Sequence, residues 1–298
     1  MGDLRPVVVV GGHAQGLVLH VDAIPREGET VLGRGYDEPM DGGKGTNQAV
    51  AIARLGVPVR LLTVLGSDDR GRRALAYFRE VGIEVSWSAV VEGPTDVGFV
   101  VLPPSGIPAI ATAMDRSVEL SPEFVRSRAA AFEDASVVVC QLEAPPETAL
   151  EAFRIARRHG VWTVLNPAPV VPVEPELFRL CDVLVPNEHE AAALAGHDGP
   201  PGELAAVLRE RLGLGAVIVT AGANGAFLAS DGGVEHVTAP PANAVDTTGA
   251  GDGFVGAFAT RLRAGESLLA ATTYAVRAAT IKVERPGTMP SFATVEEL

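Results

Sequence analysis

The segment ASVVVCQLEAPPETALEAFRIARRHGVWTVLNP, residues 135–167, decides the fold class. It opens on a continuous apolar, β-branched run, passes through an amphipathic stretch that ends at Gly160, and enters a second apolar run, VWTVLNP (161–167). A run with no polar alternation suits a strand buried on both faces, as in a parallel sheet covered by helices. Glycine just past the last periodic residue is a common helix end. Strand, helix and strand in this order form the repeating unit of a doubly wound α/β fold.

The alternation extends outward in both directions. VVVVGG (7–12), VRLLTVLG (59–66), CDVLVPNE (181–188) and AVIVTAG (216–222) read as further buried strands. GTNQAVAIARLG, DRGRRALAYFREVG and GELAAVLRERLG read as helices closed by glycine. Two segments break the rhythm, LVLHVDAIPREGETVLGRGYDEPMD (17–41) and DVGFVVLPPSGIPAIATA (96–113). Both alternate apolar and polar residues around turns, which predicts short antiparallel strands gathered in one small sheet. The expected architecture is a single α/β domain over residues 1–298, with a mostly parallel sheet flanked by helices and a small β appendage.

Composition bounds the function. Hydrophobic residues make up 47% of the 298 and charged residues 20%, enough for a large core and against global disorder. A net charge of −13 argues against a nucleic-acid partner, which basic patches grip, but allows a small phosphorylated ligand that needs only local positive potential. Cys140 and Cys181 lie in apolar runs and read as buried thiols. The apolar run near the N-terminus is too short for a secretory signal, and no run approaches the roughly 18 apolar residues of a membrane span. A soluble protein of the cytoplasm is expected.

Four glycine-rich or acidic stretches carry chemistry. In VDTTGAGDGFVGAF (245–258), Gly249, Ala250 and Gly251 offer bare amides at a helix start beside Asp252. Such amides and the helix dipole favour an anion, and where negative charge grows during reaction they form an anion hole. A carboxylate beside an anion site is electrostatically awkward unless it takes a proton. The alternative is a first-turn acid complementing the dipole, with Gly-Ala-Gly as tight packing. In DGGKGTNQAVAIARLG (41–56), Gly42, Gly43 and Gly45 surround Lys44. Gly45 stands where a P-loop needs Ser or Thr. What remains is bare backbone with Lys44 and Asn47 able to bond polyol oxygens, or a plain turn with a surface lysine.

In VPNEHEAAAL (185–194), Asn187 and Glu190 sit three apart after a strand, where they could order a Mg2+–water–phosphate cluster. His189 beside them reads as part of a solvated helix start. TAGANG (220–225) leaves the backbone at Gly222 and Gly225 open to a nucleotide. GGHAQG (11–16) has the wrong glycine spacing for a dinucleotide fingerprint, which disfavours a dehydrogenase.

Taken in order, GGKGTNQAVAIARLG, QLE (141–143), NPAP (166–169), PNEHE, TAGANG and DTTGAGDGF resemble the ribokinase-like, or PfkB, carbohydrate kinases over essentially the whole chain. The resemblance implies ATP-dependent phosphoryl transfer to a hydroxymethyl group of a small sugar or sugar-like substrate. Asp252 would be the base, and Gly249, Ala250 and Gly251 the anion hole. Gly43, Lys44, Asn47 and Glu143 would hold the sugar. Asn187, Thr220, Gly222 and Gly225 would border ATP, with Glu190 acting on Mg2+ through water. Asp246, the Thr248 carbonyl, Gly287 and Ser291 would form a monovalent-cation site for K+. The small sheet from 14–41 and 96–113 would be a lid, and through it the chain would form a homodimer.

One stretch departs from the pattern. Family members carry a GSINxD-like segment whose Asn and Asp contact sugar hydroxyls, and here Ala14 and Gly16 take those places. The departure predicts a shifted acceptor, a different sugar or a nucleoside. A non-catalytic regulator that binds sugar and nucleotide is the alternative outside the enzymes.

Overall fold

The computed structural model describes residues 5–39, 42–105 and 109–298. Residues 40 and 41 of the first expected lid segment and 106–108 of the second lie outside them. The N-terminal third holds β1 (Val7–Val10), β2 (Gln15–Val21), β3 (Gly33–Asp37), α1 (Lys44–Arg54), β4 (Val59–Leu62), β5 (Val64–Gly66), α2 (Asp69–Glu80), β6 (Ile83–Glu84), β7 (Ala89–Val91) and β8 (Val97–Leu102). The middle holds β9 (Ala109–Ala113), α3 (Asp115–Glu119), α4 (Pro122–Arg126), β10 (Val137–Cys140), α5 (Pro146–Arg158), β11 (Trp162–Leu165), α6 (Pro175–Arg179), β12 (Val183–Leu184) and α7 (Glu188–Ala195). The remainder holds α8 (Pro201–Leu212), β13 (Ala216–Thr220), β14 (Ala226–Ser230), β15 (Gly233–Val237), α9 (Ala250–Arg263) and α10 (Leu268–Val283).

Among the described residues, nine strands form the main sheet in the order β15-β14-β13-β12-β11-β10-β1-β4-β6. The strands from β13 to β6 run parallel, and β14 and β15 add an antiparallel edge. The valine runs explain the layering. Val7 and Val9 of β1 join one apolar cluster with α1, α2, α9 and α10, while Val8 and Val10 join another with α4 to α8. Successive strand side chains point to opposite faces, so an all-valine strand feeds both cores, each fully buried side chain contributing about 1.5–3 kcal/mol. Cys140 and Cys181 are free, buried thiols, as expected.

The chain leaves β1 toward β4 on one side and reaches β10 on the other, so the strand order switches between β1 and β10. In doubly wound sheets the crevice at the carboxyl ends of such a pair receives ligands. Here it is walled by the segments after β1 (Gly11 onward) and β10 (Gln141 onward), and a Cβ on Gly11 would lie 2.0 Å from Gln141 Oε1.

Two expectations need correction, and one hairpin is additional to them. VRLLTVLG is two strands, β4 in the main sheet and β5 paired with β7 in a separate ribbon. The small sheet exists, in the order β3-β2-β8-β9, but its central pair β2–β8 is parallel rather than antiparallel. The β14–β15 hairpin was not expected at all. No helix among the described residues is long and apolar enough to cross a membrane.

Candidate active site

Glycine lets the first turn of α1 press against the end of β1. A Cβ on Gly42 would lie 1.8 Å from the Ala14 carbonyl oxygen, and one on Gly45 2.5 Å from Gly11. Gly42 and Gly43 also hold positive φ, 131° and 77°, which disfavours other residues there. The close approach carries Lys44 and Asn47 into the switch-point crevice. The Lys44 amide donates to Glu143 Oε2 at 2.6 Å, which ties α1 to the segment after β10.

Asp252 lies in the first turn of α9 and is 5% exposed. Its carboxylate accepts from Asn47 Nδ2 at 2.9 Å and from Gln48 Nε2 at 3.0 Å. Gln48 Nε2 also reaches Asn166 Oδ1 (3.1 Å), and Gln48 Oε1 accepts from Gln141 Nε2 at 2.6 Å. Asn166 Nδ2 closes the chain of amides by donating to the Val185 carbonyl at 2.9 Å. The acid from α9 is thus aimed by side chains from α1, which are braced by residues following β10 and β11. The sequence reading quoted the segments containing Gln48, Gln141 and Asn166 but gave these residues no part. A repeated Gln or Asn within apolar surroundings was the available signal.

At the same turn Gly249 caps α9 with φ 76° and ψ 6°. The Ala250 amide donates to the Thr247 carbonyl at 3.1 Å. Among the described residues, the amides of Gly249, Gly251 and Asp252 meet no protein acceptor, so the open amides at the turn include that of Asp252 and leave out that of Ala250.

The charges in the crevice feel one another. Lys44 holds its proton more tightly than usual, first because of the Asp252 charge, with Glu143 and Glu190 adding to it against burial. Burial pushes Glu143 up to about 7, Lys44 opposes the shift, and Asp252 and Asp96 add to it. The folded carboxyl therefore binds a proton more tightly than the ordinary value of 4.5 allows, so between 4.5 and about 7 the folded state holds more protons than the unfolded one. Stability of the unliganded protein should fall as pH rises through that window and level off above it, by up to about 3 kcal/mol from this group. Glu143→Gln should remove that fall. Urea midpoints of both proteins at about pH 5 and about pH 8 check it, and equal pH dependence in the two would refute it.

Toward β12 and β13, Asn187 caps α7. Its Oδ1 accepts from the Glu190 amide and Glu190 Oε2 accepts from the Asn187 amide, both at 2.8 Å. This reciprocal box explains the spacing of three without any ligand. Glu190 Oε1 has no protein partner among the described residues, and burial holds this carboxyl above its usual range. Thr220 ends β13 and bridges Asn187, its amide bonding the Pro186 carbonyl at 3.0 Å. Gly222 opens onto free space, whereas a Cβ on Gly225 would lie 2.0 Å from the Val237 carbonyl, so Gly225 is required by the unexpected hairpin.

Asp246 precedes the α9 turn. Its carboxylate accepts the amides of Thr248 and Gly287, each at 2.9 Å, and Ser291 Oγ donates within 2.7 Å of the Gly287 and Thr288 carbonyls. Asp246, Thr248, Gly287 and Ser291 are thus brought together, and one further residue joins them. Lys282 of α10, fully buried, donates from Nζ to the Asp246 carbonyl at 2.7 Å and stands 4.0 Å from Asp246 Oδ1. One lysine inside the apolar stretch ATIKV was the missed signal.

At the departing stretch, His13 turns into the core. Its ring meets Phe78 edge-on, Nδ1 lies 3.0 Å from Thr46 Oγ1, and burial lowers its pKa to about 4. Gln15 Nε2 is engaged by the Pro39 carbonyl. Gly16 of β2 pairs directly with Gly98 of β8, leaving a strip of sheet without side chains. Asp96, buried just ahead of β8, accepts the Gln15 amide on its carbonyl (2.8 Å) and the Arg116 amide on Oδ1 (2.6 Å). Its charge adds to the upward shift of Glu143, and the sequence reading did not single it out.

Comparison with known proteins adds a frame to this geometry. The sequence pattern of pfkB family carbohydrate kinases matches residues 6–294. Ribokinase from Staphylococcus aureus (strain COL) is 33% identical over 298 residues, covering 98% of each chain. The ribokinase structure from Thermotoga maritima superposes with a TM-score of 0.91 at 31% identity, over 98% of this chain and 97% of that one. Arabidopsis thaliana ribokinase complexed with ribose and ATP superposes with a TM-score of 0.91 at 28% identity, with the same coverage.

Proposed function

The chain belongs to the pfkB family of carbohydrate kinases, which transfer phosphate to a hydroxyl group, and on that premise we propose that it moves the γ-phosphoryl group of ATP to a hydroxymethyl of a small sugar or sugar-like acceptor. The observation that carries the reading is the Asp252 carboxylate, fixed by Asn47 and Gln48 beside the open amides of its own turn. Phosphoryl transfer asks a protein mainly to position reactants and to neutralise spreading charge. Asp252 takes the proton of the attacking hydroxyl. The amides of Gly249, Gly251 and Asp252 receive the charge on the transferring group. Lys44, Asn47 and Glu143 bond acceptor hydroxyls over the bare backbone of Gly43.

ATP lies along the carboxyl ends of β12 and β13, bordered by Asn187, Thr220, Gly222 and Gly225. The residues present fit a magnesium ion held through water, because Glu190 Oε1 is free of protein partners while Oε2 is fixed by the Asn187 amide. The ion would supply countercharge to the phosphates. The small sheet acts as a lid that excludes water when the acceptor is bound. On one face of that sheet Leu19, Tyr36 and Phe99 are exposed by 39%, 67% and 49%, an apolar patch that suits pairing with a second copy of the chain. Sedimentation should give a dimer that Tyr36→Glu with Phe99→Glu converts to monomer. A monomer in the unaltered protein would rule the pairing out.

Ala14 and Gly16, with His13 and Gln15 engaged elsewhere, favour an acceptor other than ribose held in the usual way. A nucleoside is the second candidate, because neither Gly16 nor Gly98, paired across β2 and β8, carries a side chain against a bulkier group. The test is ADP release from ATP–Mg2+ over ribose, other pentoses, ketohexoses, sugar phosphates and nucleosides. Turnover with one acceptor class establishes the kinase and names the class. A folded protein that binds ATP and turns over none of them would favour the non-catalytic regulator.

A further inference from the structure

The resemblance to ribokinase-like kinases implies a monovalent cation among Asp246, Thr248, Gly287 and Ser291. The residues present do not fit a free ion there, because a protein cation already bonds the Asp246 carbonyl and stands beside the Asp246 carboxylate. Lys282 is 0% exposed, and its Nζ donates to the Asp246 carbonyl at 2.7 Å and lies 4.0 Å from the carboxylate. We propose that the Lys282 ammonium is the built-in monovalent cation of this kinase, so that the protein works without potassium.

Several observations converge on that assignment. A buried ammonium is costly unless it is paired and hydrogen-bonded, and Asp246 offers it both a carbonyl and a charge. Burial works against the Asp246 charge, but the amides of Thr248 and Gly287 and the charge of Lys282 hold its carboxyl below the usual range. An ammonium group and a potassium ion are similar in size and carry the same charge, and both are satisfied by carbonyl and carboxylate oxygens. The tethered group is already in place and gives up no freedom on binding. A second cation in the same oxygen shell would face direct repulsion from the first.

The position also has a purpose in the proposed reaction, on which this inference rests. The amides of Val245 and Asp246 both bond the Val283 carbonyl, one residue beyond Lys282. The Asp246 carboxylate then holds Thr248 on one side and Gly287 on the other. Thr288, next in that loop, lies where a Cβ on Gly249 would come within 2.3 Å of its Cγ2. Lys282 thereby braces both strands of chain that shape the Gly249 turn, the turn whose amides face the developing charge. It is a positioning residue.

The test measures thermal melting and ADP release of the unaltered protein, Lys282→Met and Lys282→Ala, with potassium chloride or tetramethylammonium chloride at equal ionic strength. The unaltered protein should melt alike and turn over alike in both salts. Lys282→Ala should lose on the order of 10–100-fold in kcat in tetramethylammonium, and potassium or ammonium should restore much of it and raise its melting temperature. Lys282→Met, whose side chain fills the space, should respond less to either ion. Strong potassium activation of the unaltered protein would overturn the proposal. So would a Lys282→Ala protein indifferent to potassium in both readouts, or one that folds in neither salt, since the lysine would then be only a structural prop. If no acceptor is phosphorylated, the kinase reading fails, while the melting response still decides the cation.

Discussion

Asp252→Asn should lower kcat by about 10²–10⁴-fold with whichever acceptor the unaltered protein uses, the range expected when a positioned base is lost. KM for ATP and for the acceptor should stay within about threefold, because the loss falls on the transition state rather than on binding. The structure sets the size of the accompanying cost. Asn47 Nδ2 and Gln48 Nε2 both donate to the Asp252 carboxylate, one to each oxygen. An amide at this position keeps one acceptor and turns its own NH2 group toward the other donor. Leaving that buried donor unpaired costs about 1–3 kcal/mol of stability, so melting must be measured beside turnover. Stopped-flow or steady-state ADP release gives kcat, and calorimetry gives ATP affinity. A variant that keeps kcat within about tenfold while melting lower would make Asp252 a first-turn acid that merely complements the dipole of α9.

The proposed role of Asp252 leans on Asn47 and Gln48, residues that the sequence presents as unremarkable. Asn47 and Gln48 lie in a helix pattern, where polar side chains ordinarily face water. They face Asp252 because Gly42, Gly43 and Gly45 let α1 slide against the end of β1, with Cβ clearances too small for any other residue. That approach was visible as a glycine cluster, but its consequence for Gln48 was not, since the partner lies 204 positions away. The main sheet was legible for a local reason. Apolar runs such as VVVV (7–10) and VVVC (137–140) are buried on both faces, and such burial leaves its mark on every residue. The β14–β15 hairpin left a weaker mark because β15 is largely exposed and offers no continuous apolar run. The parallel pairing of β2 with β8 left none, because Gln15 and Val97 meet only after a long excursion of the chain. Lys282 shows the same limit from the other side: a lysine in an apolar helix looks like a surface residue until Asp246 is found against it.

Ribose should be a poor acceptor for the unaltered protein, and Ala14→Asn with Gly16→Asp should raise kcat/KM for ribose by about 10²–10⁴-fold. Each restored charge-assisted hydrogen bond to a sugar hydroxyl contributes about 1.5–3 kcal/mol, or roughly one to two powers of ten. The backbone permits the change. Gly16 is not among the glycines of positive φ, and it sits in the extended strand β2 opposite Gly98, with no side chain facing it across the pair. Electrostatics opposes it, because Asp96 lies beside this strand, its carbonyl holding the Gln15 amide at 2.8 Å, and its charge reaches Glu143. A carboxylate at position 16 would add a third acid to that neighbourhood and would itself tend to stay protonated. Adding Asp96→Asn, which keeps an acceptor for the Arg116 amide, should therefore enlarge the gain, and the excess over the sum of the separate effects measures the repulsion. Rapid turnover of ribose by the unaltered protein, unimproved by Gly16→Asp, would mean that the acceptor is held by groups other than the pair missing at 14 and 16. Improvement that appears only with Asp96→Asn would make Asp96 the residue that turns this site away from ribose.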